Sequence, residues 1–296
     1  MNNIGHQTND EGLYAHEIVN TKMDKKTLQH AIEQLARTAG QMILDADIGS
    51  GGHVKAVTKS SRRDLVTATD LKIQQMLMQE LNKLAAPCSF LCEEDMNLDG
   101  IRQIKDRDEV DKGVCFIIDP IDGTANFVHG HHHSCTSIAM TVDGEAVIGV
   151  IYDPYHDELF SACKGKGTYL NGQLLPVFDA GISDAITVFG TAPYDDAVNE
   201  PTFHLAHQLY EMSADVRRTG SAALDLCWTA CGRFGLFAEL GLSAWDFAAG
   251  KLIAEETGCI VTDIHGNPLS YQDKPSILCG RPTAVKEFQE KYTWNY

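Results

Sequence analysis

The run Val114-Cys115-Phe116-Ile117-Ile118, followed by Asp119-Pro120-Ile121-Asp122-Gly123-Thr124, constrains this chain more than any other stretch. An unbroken apolar run rich in β-branched side chains reads as a strand buried on both faces. Two carboxylates leave its end three positions apart, and Pro120 stiffens the link between them. Gly123 and Thr124 then open a helical segment whose first backbone N–H groups lack partners, which suits an anion such as phosphate. Carboxylates beside an anion repel it unless a cation stands between them. Hard oxygen donors at this density suit Mg²⁺ or a similar ion. Asp-Pro and Asp-Gly also occur in plain turns, so the string needs partners elsewhere.

Composition narrows the class. At 296 residues, with 44% hydrophobic and 22% charged positions, the chain reads as an ordinary globular protein. A net charge of −17 argues against broad nucleic-acid binding, and an anionic substrate would have to be drawn by a local cation. The nine cysteines form no Cys-x-x-Cys pair, so neither a zinc knuckle nor a disulfide framework is indicated. Residues 1–23 are polar, without a signal core, and no run approaches the ~18 apolar residues of a membrane span. The expectation is a reduced, cytoplasmic protein with no membrane contact.

Along the chain, 1–23 reads as a flexible lead-in. Leu28, Ile32, Leu35, Ala39, Met42, Ile43 and Ala46 follow helical spacing behind Asp24 as N-cap, and Gly49 closes that helix. A basic loop from Lys59 to Asp70 runs into a helix burying Ile73, Met76, Leu77, Leu81 and Leu84. A short strand at 89–92 ends in Glu93-Glu94-Asp95. After the central motif, 137–142, the Asp143-Gly144 turn and 146–152 make a hairpin, continued by 158–163, 168–170 and an Asn171-Gly172 turn. From about 183, strands (186–189, 216–218, 236–239, 259–263, 277–279) alternate with helices (201–213, 221–231, 244–257, and a last one opened by Pro282). Gly258 is expected at the C′ position of the third of these helices. The pattern suggests α+β first and α/β second. It divides the chain into an N-terminal half at 24–182 and a C-terminal half at 183–296, with a site where they meet.

Three more acidic positions stand at element ends: Asp70 and Asp246 at helix starts, and Glu93-Glu94 at a strand end. Alone, the two aspartates suit helix N-caps and the glutamates suit solvated surface charge. Together with Asp119 and Asp122 they suit convergence on a cation.

Lys59-Ser60-Ser61, Asp64-Leu65-Val66-Thr67-Ala68-Thr69-Asp70, Glu93-Glu94, Asp119-Pro120-Ile121-Asp122-Gly123-Thr124 and Trp245-Asp246-Phe247-Ala248-Ala249-Gly250 resemble, in this order, the motifs of the inositol monophosphatase family. That family belongs to the lithium-sensitive, Mg²⁺-dependent phosphatases. Arg217-Arg218-Thr219-Gly220-Ser221-Ala222-Ala223-Leu224-Asp225-Leu226 is similar to its bacterial branch. The resemblance implies a layered α-β-α-β-α sandwich, a homodimer, and two or three Mg²⁺ per site. Glu93, Asp119 and the Ile121 carbonyl would hold one ion. Asp119, Asp122 and Asp246 would hold a second, and Asp70 with Glu93 a third. Glu93 and Thr124 would act on the attacking water, with the Gly123 and Thr124 N–H groups on the phosphate and Lys59 closing over it. Asp122, Gly220, Ser221, Ala222 and Glu239 would meet the polyol, with Arg217 bracing that wall.

The chain departs from the family pattern at Cys92, where glycine is common, at Asp95, and at His129-Gly130-His131-His132-His133. The histidines read as a solvated loop, with an adventitious metal site as the alternative. The implied activity is hydrolysis of inositol 1-phosphate or a similar small polyol phosphate ester. Fructose 1,6-bisphosphatase and 3′(2′),5′-bisphosphate nucleotidase are alternatives within the chemistry, and a non-catalytic regulatory homologue lies outside it.

Overall fold

The structure, a computed structural model, describes residues 24–50, 54–59, 65–105, 109–192 and 195–293. The 1–23 lead-in and the 60–64 part of the basic loop lie outside the described residues.

Helix α1 (Lys25–Ser50) starts where Asp24 Oδ1 accepts from the Lys26 and Thr27 amides at 3.0 and 3.1 Å, and runs through Gly49 to Ser50. A small antiparallel pair follows, β1 (Ala56–Thr58) with β2 (Leu65–Thr67), where the sequence suggested only a loop. Helix α2 (Ala68–Ala85) leads to β3 (Ser89–Cys92), β4 (Arg102–Gln103) and the central strand β5 (Val114–Asp122), all nine of whose residues are buried. Along β5, Phe116 and Ile118 enter one core, and Cys115 and Ile117 enter the other. The period-two alternation of a strand therefore explains the unbroken apolar run.

After the short helix α3 (Thr124–Val128), β6 (Cys135–Val142) and β7 (Glu145–Asp153) form the expected hairpin, with Asp143 and Gly144 at φ 48° and 80°. Strands β8 (Glu158–Cys163), β9 (Thr168–Leu170) and β10 (Gln173–Leu174) complete an eight-stranded sheet in the order β10-β9-β8-β7-β6-β5-β3-β4. It is antiparallel except where β3 runs parallel to β4 and β5.

The remaining elements are β11 (Ile186–Phe189), α4 (Asn199–Met212), β12 (Asp215–Arg217), α5 (Ala222–Ala230), β13 (Leu236–Glu239), α6 (Ala244–Glu255), β14 (Ile260–Thr262), β15 (Ile277–Gly280) and α7 (Pro282–Lys291). The five strands form a second sheet in the order β12-β11-β13-β15-β14. Helix α6 ends earlier than the apolar spacing indicated, so Gly258, at φ 82°, lies one position beyond C′.

Three apolar cores hold five layers together, one of them reaching both sides of the middle helical layer. Helices α1 and α2 cover one face of the large sheet. Helices α5 and α6 fill the space between its other face and the small sheet, and α4 with α7 cover the outside. This is the α-β-α-β-α sandwich of an α+β chain.

Candidate active site

Parallel pairing of β3 with β5 aligns Cys92 with Ile118, so Glu93 and Asp119 leave neighbouring strand ends side by side. The Glu93 amide donates to the Ile118 carbonyl at 3.2 Å and holds that alignment one residue further. Asp122 leaves the same end of β5, past an irregularity in the pairing with β6. Its carboxylate accepts from the Ala223 amide at 3.0 Å and from the Ser221 hydroxyl, which ties β5 to the start of α5.

Asp70 and Asp246 are not N-caps. Thr67 and Ser243 take that position, and the two aspartates stand at the third helical position of capping boxes. Asp70 Oδ2 accepts from the Thr67 amide at 2.9 Å, and Asp246 Oδ2 accepts from the Ser243 amide at 2.7 Å. Each box consumes one carboxylate oxygen and holds the side chain in one orientation. Asp70 is fully buried, and its Oδ1 has no hydrogen-bond partner.

Two groups result, Asp70 with Glu93 and Glu94, and Asp119 with Asp122 and Asp246, each offering oxygens within 4.8 Å of one another. Burial, then repulsion from Glu93, Asp122 and Asp246, drives the Asp119 carboxyl well above its usual range. Burial likewise lifts Asp70 and Asp122 to about 6, although hydrogen bonds from Thr67 and Ser221 pull the other way. Such crowding is unfavourable for ionised carboxylates alone. The orphaned Asp70 oxygen and the all-oxygen donor sets fit hard divalent cations.

Gly123 precedes α3 at φ 86°, a left-handed conformation, and a Cβ there would stand 2.9 Å from the His133 carbonyl oxygen. Only glycine suits that turn. Thr124 Oγ1 donates to the Ile121 carbonyl at 3.0 Å, which leaves the hydroxyl's lone pairs free to accept. Asn126 braces the turn from behind, donating to the His133 and Thr219 carbonyls at 2.8 and 2.9 Å.

Glu93, Asp119, Ile121, Asp122, Gly123, Thr124, Gly220, Ser221, Ala222, Glu239 and Asp246 line one cavity. Asp70 stands behind it with Glu93 and Glu94. Lys59 does not line the cavity but reaches its edge, where Nζ donates to Glu93 Oε1 at 2.9 Å and also to Glu94. Burial would lower the ammonium pKa, but those two carboxylates outweigh it and raise it.

Arg217 is placed elsewhere. Its exposed guanidinium turns back onto Asp215 and the Val216 carbonyl. Arg218 lines the cavity instead, with Nη2 donating to Thr191 Oγ1 at 2.8 Å. Neighbours at a strand end point to opposite sides, so a pair of arginines there could supply only one to this wall. The sequence signal was the doubled arginine, but the strand's phase was needed to choose between them. Gly190, Thr191 and Asp225 were also missed. Asp225 is buried within α5 and held by the Thr219 hydroxyl at 2.6 Å, and burial raises its carboxyl well above the usual range.

A family model described as the inositol monophosphatase family matches residues 24–295. The chain belongs to that family. Among curated relatives it is 36% identical over 252 residues to the Nus factor SuhB of Escherichia coli strain K12, covering 85% of this chain and 90% of the relative. It is also 36% identical over 239 residues to inositol monophosphatase 1 of Solanum lycopersicum, covering 78% and 82% respectively. The crystal structure of the extragenic suppressor protein suhB from Bartonella henselae superposes with a TM-score of 0.80 at 29% identity, over 91% of this chain and all of that one. Family membership and the carboxylate clusters agree with a metal-dependent phosphatase. The charge-based expectation against nucleic acid gains no support from these relatives, since several carry the name of a Nus factor rather than of a phosphatase. Among the described residues, no helix is long and apolar enough to cross a membrane.

Proposed function

We propose that this protein is a Mg²⁺-dependent phosphomonoesterase acting on inositol 1-phosphate or a similar polyol phosphate. The observation that carries the reading is the convergence of Glu93, Asp119, Asp122 and Asp246, from three separate elements, on one cavity beside Thr124. Glu93, Asp119 and the Ile121 carbonyl would hold one ion, Asp119, Asp122 and Asp246 a second, and Asp70 with Glu93 a third. Mg²⁺ so held supplies charge neutralisation and Lewis acidity for phosphoryl transfer.

The chain's own groups do the rest. The Glu93 carboxylate takes a proton from the attacking water, and Thr124 Oγ orients that water by accepting from it while donating to the Ile121 carbonyl. The Gly123 and Thr124 amides face the phosphate. Asp122, Ser221 with its flanking backbone, and Glu239 accept hydrogen bonds from ring hydroxyls, which discriminates between polyols. Lys59 supplies the cation at the rim. Family membership supports extending the reading to lithium sensitivity, a homodimer and a cytoplasmic location.

A regulatory role on the same fold is the second reading, favoured by the name of the Escherichia coli relative. Phosphate release from inositol 1-phosphate, fructose 1,6-bisphosphate and 3′-phosphoadenosine 5′-phosphate, each with and without Mg²⁺, separates the two. Turnover that requires Mg²⁺ and is fastest on the inositol ester is expected. No release from any ester at saturating Mg²⁺ would reject the catalytic reading in favour of the regulatory one.

A further inference from the structure

Asp225 is the one charged residue of α5 and is 1% exposed. A carboxyl buried in an apolar helix is costly unless its oxygens find partners. Its Oδ1 accepts from the Thr219 hydroxyl at 2.6 Å, and the Thr219 carbonyl in turn accepts from Asn126 at 2.9 Å. The side chain is therefore held in one orientation. An asparagine would serve Thr219 equally well, so this bond does not account for the carboxyl. Among the described residues nothing donates to Oδ2, and Asp225 lines the cavity.

Glu239 is in the same condition. It is buried at the end of β13, lines the same cavity, and accepts no hydrogen bond on either carboxyl oxygen among the described residues. The two carboxyls are close enough that charge on Asp225 raises the Glu239 carboxyl, with Arg218 at the same wall opposing it. Neither residue belongs to the two groups of oxygens that converge within 4.8 Å of one another. They are therefore not ligands of those cation clusters. Asp225 and Glu239 present three unsatisfied acceptor oxygens to one cavity, and the group that satisfies them has to carry donors.

We propose that Asp225 is a specificity-determining residue which, paired with Glu239, takes two neighbouring hydroxyls of the substrate's alcohol, so that the site selects phosphate esters of vicinal diols. This inference rests on the phosphomonoesterase reading above and narrows its substrate class. A hydroxyl donates one hydrogen bond, so two carboxyls side by side call for two hydroxyls side by side. Such contacts discriminate strongly, because an alcohol that lacks the hydroxyl leaves a buried carboxyl unpaired. Arg218, tied to Thr191 Oγ1 at 2.8 Å, stands at the edge of the pair and offsets part of its charge.

The test uses the full chain at saturating Mg²⁺ with two esters, inositol 1-phosphate and 4-nitrophenyl phosphate, which carries no hydroxyl. Asp225→Asn keeps an oxygen for Thr219 and replaces the second oxygen with a donor. It is expected to raise KM for the inositol ester with kcat nearly kept, so that the ratio of kcat/KM between the two esters falls by about tenfold or more. Thr219→Val, which leaves α5 unaltered, releases the Asp225 side chain and should lower the same ratio by a smaller factor. An Asp225→Asn variant that loses the same factor on both esters, or nothing on either, would overturn the proposal and leave the phosphatase reading standing. A loss in Thr219→Val with none in Asp225→Asn would do the same, and would reduce Asp225 to a prop for the turn at 219–221. Release of phosphate from neither ester by the wild type would reject both readings.

Discussion

The carboxylate of Glu239, at the end of β13, occupies the space that a side chain at Gly190 would need. The Gly190 amide donates to the Ala238 carbonyl at 3.2 Å, which brings the backbone directly beneath Glu239, and a Cβ at Gly190 would overlap both carboxylate oxygens. Burial, with repulsion from Asp225, raises the Glu239 carboxyl to about 8 against the opposing pull of Arg218. Gly190→Ala should therefore displace Glu239 without touching the Asp119, Asp122 and Asp246 carboxylates. The expected outcome is about a 10-fold or greater loss of kcat/KM on polyol phosphates, with hydrolysis of an aryl phosphate little changed. An equal loss on both substrates would place Glu239 in the catalytic core.

Asp119→Asn and Asp246→Asn each remove charge from a buried cluster of carboxylates. Turnover at saturating Mg²⁺ should fall by orders of magnitude, while the melting temperature of the metal-free protein rises as repulsion is relieved. Steady-state rates and thermal melts in EDTA check both halves. Near-normal turnover in either variant would defeat the assignment of shared ligands.

Thr124→Ala leaves every carboxylate in place. The rate at saturating Mg²⁺ should drop by about 10²–10⁴-fold, with the affinity for Mg²⁺ preserved in calorimetry. Lost affinity with an unchanged rate would show that the hydroxyl serves the Ile121 carbonyl rather than the water.

The two arginines offer a contrast. Arg218→Ala removes the cavity-lining guanidinium and its hydrogen bond to Thr191, so KM for polyol phosphates should rise several-fold. Arg217→Ala cuts only an exposed pair with Asp215, of the kind worth about 0–1 kcal/mol, and should leave kinetics unchanged. The reverse result would restore the sequence-based assignment of Arg217 to the wall.

Stability should respond to pH in a direction set by the site. Asp70 and Asp122 hold their protons to about pH 6 in the fold, whereas in the unfolded chain they ionise near pH 4. The metal-free fold is therefore most favoured below pH 4, and that advantage is lost as pH rises through 6, by up to about 3 kcal/mol per group. Melting temperature in EDTA should fall over this interval, and the gain on adding Mg²⁺ should be larger at pH 7 than at pH 4.5. A gain from Mg²⁺ that does not change with pH would contradict it.

Local chemistry picked out the acidic positions, because each stands where the backbone itself announces an element end, and the family resemblance supplied their expected roles. Asp119 and Asp122 follow an apolar run that can only be a buried strand. Glu93 closes another, and Asp70 and Asp246 stand at helix starts, although the sequence reading made them N-caps where Thr67 and Ser243 hold that position. The alternation of apolar residues likewise determined the hairpin of β6 and β7 and most helix positions. What tertiary structure decided was anything that depended on strand phase or on a distant backbone. Arg217 and Arg218 are chemically alike, and only the direction of the chain leaving β12 selects which one faces Glu239. Gly190 shows its role only once β11 lies against β13, and the histidines part company only when α1 delivers Asp47 to His132. Sequence spacing specifies neighbours along one element, whereas these choices were made by contacts between residues far apart in the chain, set by how the layers pack.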